Sequence, residues 1–545
     1  RIRGVGWFVG AWNDAPLPDR RSLDALIPDR PVYMLCADSH SMWLNTKAME
    51  EVGYTPDFAV ENGEVCHFPD GSLSGLFIEP AAYEPAMQKY MEFSATEMAG
   101  IHQGFQEELA SYGIAGVSEM FADDYTDDTR ARYRQLVALD EKKGLCAHTF
   151  IYTKLFDYTD FTPYFELKKE IDSAHVHING VKGFIDGVTE TYTGLLLEPY
   201  TDRPETCGEG LPLHPAARMQ EEITAANKAG IQVRLHCIAD GSVRMALDLY
   251  EQAQKESGWD TSVHQNTIEH IENIHPDDID RFAKLGVIPS MQPYHVTLSN
   301  GGKVWRLGEE RCKLEFPVRT IYDHGGQIAL GTDYPVVTIN PFVTIYAALT
   351  RCDDAGQPTG CNSATEKLPL PVILKAYTDG AARVYHAQDR MGTIEPGKQA
   401  NIIVLTQNLF EIPPEKIRDT KVAVNYFEGS VVYGDSRQVK DMFLEMRLTK
   451  QQLSKEETET ILRMKGTGTL ALAGDDGYPY SVPVNYLYVD GCIYFHGALQ
   501  GHKCDAIARE PKASMSVIAA DTLIPEKYTT DYRSVIDFGE IHPIV

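Results

Sequence analysis

The sequence predicts an α/β fold built on a TIM (β/α)8 barrel, followed by a small β-domain and a C-terminal antiparallel β module. Three observations favour this fold. Apolar runs of β-strand type alternate with helical patterns from about residue 96 to residue 386. Four of these runs end in residue types that bind metals, at intervals typical of strand-plus-helix units. After residue 390 the helices give way to short strands joined by turns such as Asp-Gly.

The intervals between the four metal-ligand residues indicate barrel register. His236 follows the strand-like run 231–235, and His270 lies 34 residues further on, about one unit of a barrel in which roughly 250 residues make eight units. Asp333 lies 63 residues beyond His270, and Lys182 lies 54 residues before His236, an interval that includes an insertion. Strand ends in this register converge on one rim, where active sites lie. A lone histidine there would more often be structural, but four such residues together predict a site.

Seven barrel strands are predicted, and the eighth would precede Arg1. The strands are at 113–120, 146–152, 180–186, 231–236, 266–272, 286–293 and 328–335, and the helices are at 96–113, 128–143, 215–229, 241–257, 276–285 and 370–386. Four regions are expected: the barrel with an N-terminal insertion (1–390), a side domain (391–434), a polar linker (435–455) and the antiparallel module (456–545).

The insertion contains the segment Asp38-Ser-His-Ser-Met-Trp-Leu-Asn, with a helix predicted over 46–52. Its polar and aromatic residues His40, Trp43 and Asn45 have two interpretations. They pack a loop, or they line a substrate pocket.

Composition excludes several classes of protein. The formal charge of −28 argues against nucleic acid or an anionic membrane as the main partner, and no run of 18 apolar residues is present. The ten cysteines are scattered, without a CxxC pair, so neither a disulfide framework nor a zinc knuckle is indicated. This pattern favours a reducing, cytoplasmic location.

The predicted site suits metal-assisted hydrolysis. Two imidazoles, a carboxylate and a fourth anionic ligand are typical of zinc or another borderline divalent metal. Asp333 is expected to be both a ligand and the catalytic residue that moves the proton from water to the leaving nitrogen. Lys182 has two interpretations: an amine that is neutral if it is buried and carries CO₂ as a carbamate between two metal ions, or an ammonium paired with a neighbouring acid.

Lys182, His236, His270 and Asp333, with the later segment Met391-Gly-Thr-Ile-Glu-Pro-Gly-Lys-Gln-Ala-Asn, resemble the metal-dependent amidohydrolase superfamily, in particular the branch of the N-substituted formamide deformylases. That branch has a motif similar to the segment that contains His40. The resemblance covers about residues 1–434 and implies a barrel with a β-sandwich side domain, one or two metal ions and hydrolysis of C–N bonds in a small amide-type substrate. The His-x-His that the family carries on its first strand is absent from the sequence.

Residues 446–545 resemble the flavin-binding split barrels of the pyridoxamine-phosphate-oxidase and nitroimidazole-resistance type. The matching segments start at Gly477, Tyr494 and Pro525. Glycine NH groups and the cation of Lys503 suit a phosphate, and the resemblance implies FMN bound by His496, Gly497, His502 and Lys503 in a homodimer.

Two functions are therefore weighed. The first is a metal-dependent amidohydrolase with an appended flavin-binding module. The alternative is a catalytically incomplete barrel that serves as a scaffold, with the flavin module acting as an FMN-dependent oxidoreductase. Metal content distinguishes them, because a scaffold would purify without stoichiometric zinc.

Overall fold

The computed structural model describes residues 1–7, 17–37, 39–142, 144–204, 212–298, 302–361, 364–434, 453–475, 478–489, 491–498, 500–524 and 529–543. The chain divides into two compact units, Arg1–Lys440 and Asp441–Val545. Most of the predicted linker, residues 435–452, lies outside the described residues. Among the helices that are described, none has the length and apolar character needed to cross a bilayer.

The first unit opens with a five-stranded sheet whose order is β1-β2-β3-β5-β4. Its strands are β1 (Ile2–Trp7), β2 (Val32–Cys36), β3 (Ser41–Leu44), β4 (Glu64–His67) and β5 (Leu73–Ile78), and helices α1 (Arg20–Leu26), α2 (Thr46–Val52) and α3 (Pro80–Tyr90) accompany them. Tyr33, Met42 and Phe77 are fully buried in its core. The insertion thus folds into a sheet of its own, and the segment that contains His40 leads into β3.

Seven parallel strands form the central sheet in the order β12-β11-β10-β9-β8-β7-β6, which confirms the predicted barrel-type α/β fold. The strands are β6 (Gly116–Glu119), β7 (His148–Lys154), β8 (Val176–Phe184), β9 (Gln232–Cys237), β10 (Thr267–His270), β11 (Ile288–Met291) and β12 (Ala329–Leu330). Most of these strands are buried on both faces, which explains why they are near-continuous apolar runs in the sequence.

Helices cover this sheet. They are α4 (Ala95–Tyr112), α5 (Asp127–Glu141), α6 (Thr162–Ile171), α7 (Ala216–Lys228), α8 (Asp240–Ser257), α9 (Ile279–Leu285), α10 (Gly302–Cys312), α11 (Val318–Asp323), α12 (Pro341–Thr350), α13 (Leu370–Lys375) and α14 (Ala381–Val384). The predicted helix 370–386 is interrupted by a π-helical turn at Ala376–Gly380. Ser94 and Glu97 form a capping box at the start of α4, and Gly113 ends this helix with φ 72°.

A disulfide joins Cys312, at the end of α10, to Cys361. The scattered cysteines of the sequence did not indicate this single bridge. The two cysteines are 49 residues apart, and a single pair brought together by tertiary folding has no spacing pattern to detect. Seven further cysteines in the described part of the chain are free.

The side domain is an antiparallel sheet of β13 (Ile402–Leu405), β14 (Val422–Phe427) and β15 (Ser430–Gly434). It packs on α4, where the Asn425 amide donates to the Ala110 carbonyl at 3.0 Å.

The second unit is a five-stranded antiparallel sheet in the order β18-β17-β16-β19-β20, as the hairpin pattern predicts. Its elements are α15 (Lys455–Met464), β16 (Thr467–Ala473), β17 (Pro479–Val489), β18 (Cys492–Phe495), α16 (His502–Arg509), β19 (Lys512–Ile524) and β20 (Thr529–Glu540).

Candidate active site

The four predicted ligand residues line one cavity of about 1860 Å³ at the carboxyl ends of the parallel strands. Lys182 is near the end of β8, His236 is on β9, His270 ends β10, and Asp333 follows β12. His270 and Asp333 both have positive φ, 74° and 59°. Positive φ is uncommon outside glycine, although Asp and His adopt it more often than most residues, and it recurs at functional sites.

Short distances connect these side chains. The His236 and His270 rings meet edge to face with centroids 4.5 Å apart. Nδ1 of His270 lies 3.9 Å from Oδ2 of Asp333 and 3.0 Å from Oε1 of Gln292. His270 and Asp333, together with His295, offer ligand atoms that all lie within 4.8 Å of one another. The donor set fits a divalent metal.

His295 was missed in the sequence. It lies in the 3-10 helix Pro293–Thr297, directly after β11, and its Nε2 is 4.0 Å from Oδ2 of Asp333. Its ring is stacked on that of His270 with centroids 6.2 Å apart. The rule that a polar residue after a barrel strand points to the rim would have identified it, but the predicted strand 286–293 ends two residues before it.

Burial sets the protonation of the site. It lowers the pKa of His236 and His270, an effect that neighbouring cationic groups reinforce, so both imidazoles are neutral and able to coordinate a metal. Burial lowers the pKa of Lys182 to about 8. A third of the Asp333 side chain faces the cavity, yet the surrounding protein excludes bulk water and raises the pKa of this carboxyl group.

A buried ion pair lies beside Lys182. Arg234 Nε is 2.7 Å from Oε1 of Glu269, and the same guanidinium donates to Ser118 Oγ at 2.7 Å. Burial alone would raise the pKa of Glu269, but Arg234 and then Lys182 outweigh this effect and lower it. Glu269, the acid whose charge raises the pKa of Lys182 most, is thus already paired with Arg234. The Lys182 Nζ lies 5.0 Å from the centre of the Phe184 ring.

The insertion brings His40 to the site, with its ring centroid 5.3 Å from that of His236. Nδ1 of His40 lies 2.9 Å from Oε2 of Glu79, a buried residue with φ 67° that sequence reasoning also missed. Burial alone would raise the pKa of Glu79, but the charge and hydrogen bond of His40 outweigh it and lower the pKa. Both residues line the cavity.

Trp43 and Asn45 serve the packing of the same segment. The Trp43 ring meets Trp7 edge to face at 6.1 Å. The Asn45 side chain caps α2, accepting from Ala48 N and Val32 N and donating to two further backbone carbonyls. Neither is among the described residues that line the cavity, and Asp38 lies outside the described residues.

A second polar cluster borders the site. Lys303 of α10 is fully buried, donates to Thr189 Oγ1 at 3.0 Å and forms an ion pair with Glu272. Glu272 Oε1 lies 3.8 Å from Nδ1 of His295. The Lys303–Glu272 contact spans 31 residues of chain and depends on tertiary folding, so no local pattern indicated it.

In the second unit the predicted cofactor residues lie in the loop after β18 and in the first turn of α16. Gly501 has φ 116° and precedes α16, which starts with His502 and Lys503. The Lys503 ammonium reaches back over Gly497, where a Cβ would lie 2.5 Å from Nζ. His502 Nδ1 lies 3.2 Å from Asp475 Oδ2, and its ring meets Tyr480 edge to face. His496 is exposed in the same loop. The segments at Gly477 and Pro525 start outside the described residues.

Comparison with known proteins defines the class. Residues 1–433 match the Amidohydrolase family, so the chain belongs to this family of hydrolases, which act on carbon–nitrogen bonds. Residues 454–545 match the Pyridoxamine 5'-phosphate oxidase family. Both predicted resemblances are confirmed.

Individual relatives agree with this assignment. Protein LONG AFTER FAR-RED 3 of Arabidopsis thaliana is 28% identical over 449 residues, 79% of this chain and 74% of that protein. N-substituted formamide deformylase of Arthrobacter pascens is 23% identical over 445 residues, 79% of each protein. Among solved structures, an uncharacterized metal-dependent hydrolase of Pyrococcus horikoshii is 25% identical and has a TM-score of 0.59, covering 76% of this chain and 78% of its own.

Proposed function

We propose that the barrel unit is a metal-dependent hydrolase of an amide-type C–N bond in a small, non-peptide substrate. One observation carries the proposal: the neutral side chains of His236 and His270 line the same cavity as Asp333, and Lys182 lies beside them. These four residues would hold one or two divalent ions, zinc by the preference of the donor set. Such an ion supplies Lewis acidity and lowers the pKa of a bound water to roughly 7.

Asp333 moves the proton in this proposal. Its raised pKa allows the carboxylate to accept a proton from the attacking water and return it to the leaving nitrogen. His236 keeps its orientation through Nε2, which lies 3.2 Å from the Gly187 carbonyl. Neutral His236 and His270 leave their lone pairs for coordination, because burial keeps both imidazoles unprotonated.

We infer that His40 contacts the substrate at the rim. Glu79 fixes its ring, and the position beside His236 gives it access to the reacting group. Trp43 and Asn45 would contribute to substrate binding by holding the segment that contains His40. The named activity of the Arthrobacter relative makes N-substituted formamides the first substrates to assay.

Asp333→Asn tests the proposal. The amide keeps the size of the side chain but removes the charge and the proton acceptor, so turnover of a hydrolysed amide should fall by about 10²–10⁴-fold while the thermal transition stays in place. Asp323→Asn, on exposed α11, is the matched control. If the parent contains no stoichiometric metal, or if Asp333→Asn hydrolyses the amide normally, the proposal is wrong.

A second candidate function is favoured by the loop around Lys503. We propose that His496, Gly497, His502 and Lys503 bind the phosphate of FMN in a homodimer, which would make the second unit an oxidoreductase module. FMN titration followed by flavin fluorescence tests this. Lys503→Ala should weaken binding, whereas Lys465→Ala, another exposed lysine of the unit, should not. Equal affinities would contradict the assignment, and light scattering reports the dimer.

The cellular location is a further proposal. The free cysteines favour the cytoplasm, while the Cys312–Cys361 disulfide favours an oxidising compartment. Fractionation of cells that express the protein would decide between them.

A further inference from the structure

A buried lysine holds a carboxylate against the active site. Lys303 is 2% exposed, and its Nζ contacts Glu272 and lies 3.5 Å from Oε1 of Glu190. Removing an ammonium from water is costly unless it is paired and hydrogen-bonded, and here the two carboxylates and Thr189 satisfy that need. The ion pair with Lys303 fixes the position of the Glu272 carboxylate.

Glu272 in turn faces His295. Its Oε1 lies 3.8 Å from Nδ1 of the imidazole. The opposite nitrogen, Nε2, is directed to Asp333 Oδ2 at 4.0 Å, and this buried atom has no hydrogen-bond partner among the described residues. A buried polar atom without a partner is rare in folded proteins and needs an explanation.

We propose that His295 is an additional metal ligand of the barrel site, that Glu272 orients it and that Lys303 holds Glu272 in place. The inference rests on the proposed metal-dependent function. The Glu272 carboxylate, 3.8 Å from Nδ1, favours the proton on that nitrogen and leaves the lone pair of Nε2 for a metal. A carboxylate in this position accompanies many histidine ligands. The chain Lys303–Glu272–His295 ends at the lone pair that faces Asp333.

The distances agree with this assignment. Tetrahedral zinc with bonds of about 2 Å sets its ligand atoms about 3.4 Å apart. Nε2 of His295 lies 4.0 Å from Oδ2 of Asp333, so a closure of about half an ångström brings these two atoms to the spacing of ligands on one ion. His270 offers a third ligand atom within 4.8 Å of both. An ion at this point would be held by the Asp333 carboxylate and by nitrogens of His270 and His295.

Metal titration of the full chain tests the inference. The chain is stripped with a chelator and titrated with Co²⁺ alone, followed by visible absorption, and with Zn²⁺ in competition with a metal-binding dye. Glu272→Gln and Lys303→Met should weaken affinity by about 10- to 100-fold, as loss of an orienting partner does. His295→Ala should weaken it at least as much and change the Co²⁺ spectrum, because a nitrogen ligand is lost.

Three control variants match these changes on exposed sites near α10 and α11. Glu310→Gln, Lys313→Met and His324→Ala alter side chains that are 85%, 61% and 49% exposed, and should bind both metals like the parent. Glu272→Gln preserves the size and shape of the side chain. Its metal affinity therefore decides the test if Lys303→Met lowers the temperature of the thermal transition.

The outcomes separate the two proposals. A parent that binds metal stoichiometrically, together with a His295→Ala variant of unchanged affinity and spectrum, would overturn the role of His295 and leave the metal site intact. A parent that binds neither Co²⁺ nor Zn²⁺ would overturn the proposed function and this inference together. Weakened binding in all three variants, with the controls unchanged, supports it.

Discussion

Lys182 has almost no access to water, and this changes what its amine can do. Burial brings its pKa to about 8, so about a tenth of the amine is neutral at pH 7, far more than for an ordinary lysine. The adjacent acid, Glu269, is engaged by Arg234 at 2.7 Å. A neutral amine beside His236 and His270 favours the carbamate interpretation of Lys182 over that of a plain ion pair.

Lys182→Ala should therefore lose metal. Without the carbamate the anionic ligand disappears, so metal content and hydrolysis should fall together, and short-chain carboxylic acids in the buffer should partly restore both. Lys284→Ala, at an exposed position in the last turn of α9 and away from the cavity lining, is the control. Elemental analysis checks the metal, and a Lys182→Ala variant that retains its full content would exclude the carbamate.

At the scale of elements, the disulfide between Cys312 and Cys361 joins the end of α10 to the segment that contains Cys361. Glu315 lies beside this bridge, where Cys361 N donates to its Oε2 at 3.1 Å. The same helix carries Lys303, so the bridge anchors an element that borders the cavity. Closing a loop of this length restricts the unfolded chain and stabilises the folded one.

The double variant Cys312→Ser/Cys361→Ser should lower the unfolding free energy of the barrel unit by roughly 2–4 kcal/mol. Urea unfolding followed by tryptophan fluorescence measures this, and a reducing agent should shift the parent to the same midpoint. Cys352→Ser, which changes a free cysteine, is the control. If reduction leaves the parent unaffected, the bridge contributes no stability.

A second junction joins the β14–β15 turn to the start of β8. His175 lies 2.5 Å from Asp140 through Nδ1 and 3.2 Å from Glu428 through Nε2, with His148 and His177 beside it. Burial alone would lower the pKa of His175, but the hydrogen bonds to Asp140 and Glu428 outweigh it and raise the pKa. Protonated His175 therefore strengthens the contact between side domain and barrel.

Glu428→Gln should destabilise the protein by an amount that decreases as the pH rises. A histidine whose pKa is raised by folding stabilises the protein below its ordinary pKa of about 6.5, and the contribution is lost as the pH rises through the folded value. The variant should be less stable than the parent by roughly 0.5–1 kcal/mol near pH 6, and the difference should vanish in alkaline buffer. Glu395→Gln, an exposed pair partner of Lys398, is the control. A difference that grows with pH would contradict this sign.

At the scale of the whole molecule, structural elements that recur along the chain could be predicted from the sequence, whereas elements and residues that depend on a single tertiary contact could not. The seven strands were predictable because parallel strands buried on both faces are apolar runs at regular intervals. The five-stranded N-terminal sheet was not, since β3 pairs with β5 across an intervening strand. In the site, His236, His270 and Asp333 were found from their spacing. Glu79 and Lys303 were missed because their partners are 39 and 31 residues away.

The two units should separate under brief trypsin treatment. Residues 434–455 are polar and of mixed charge, and they mark the change from α/β to hairpin patterning, so few core contacts should cross them. The compact units divide at Lys440 and Asp441. Cleavage near Arg437, Lys440 or Arg447 should release a barrel fragment and a smaller fragment that mass spectrometry identifies.

FMN, if it binds the loop around Lys503, should remain with the smaller fragment. Trypsin treatment of the Arg437→Gln/Lys440→Gln/Arg447→Gln variant is the control, and it should slow the release without changing either fragment's fold. A chain that resists cleavage at this segment would show that the units share a core, because shared packing would keep the backbone from the protease. Flavin that travels with the larger fragment would exclude the phosphate site at Gly497 and Lys503 while leaving the metal site of the barrel untouched.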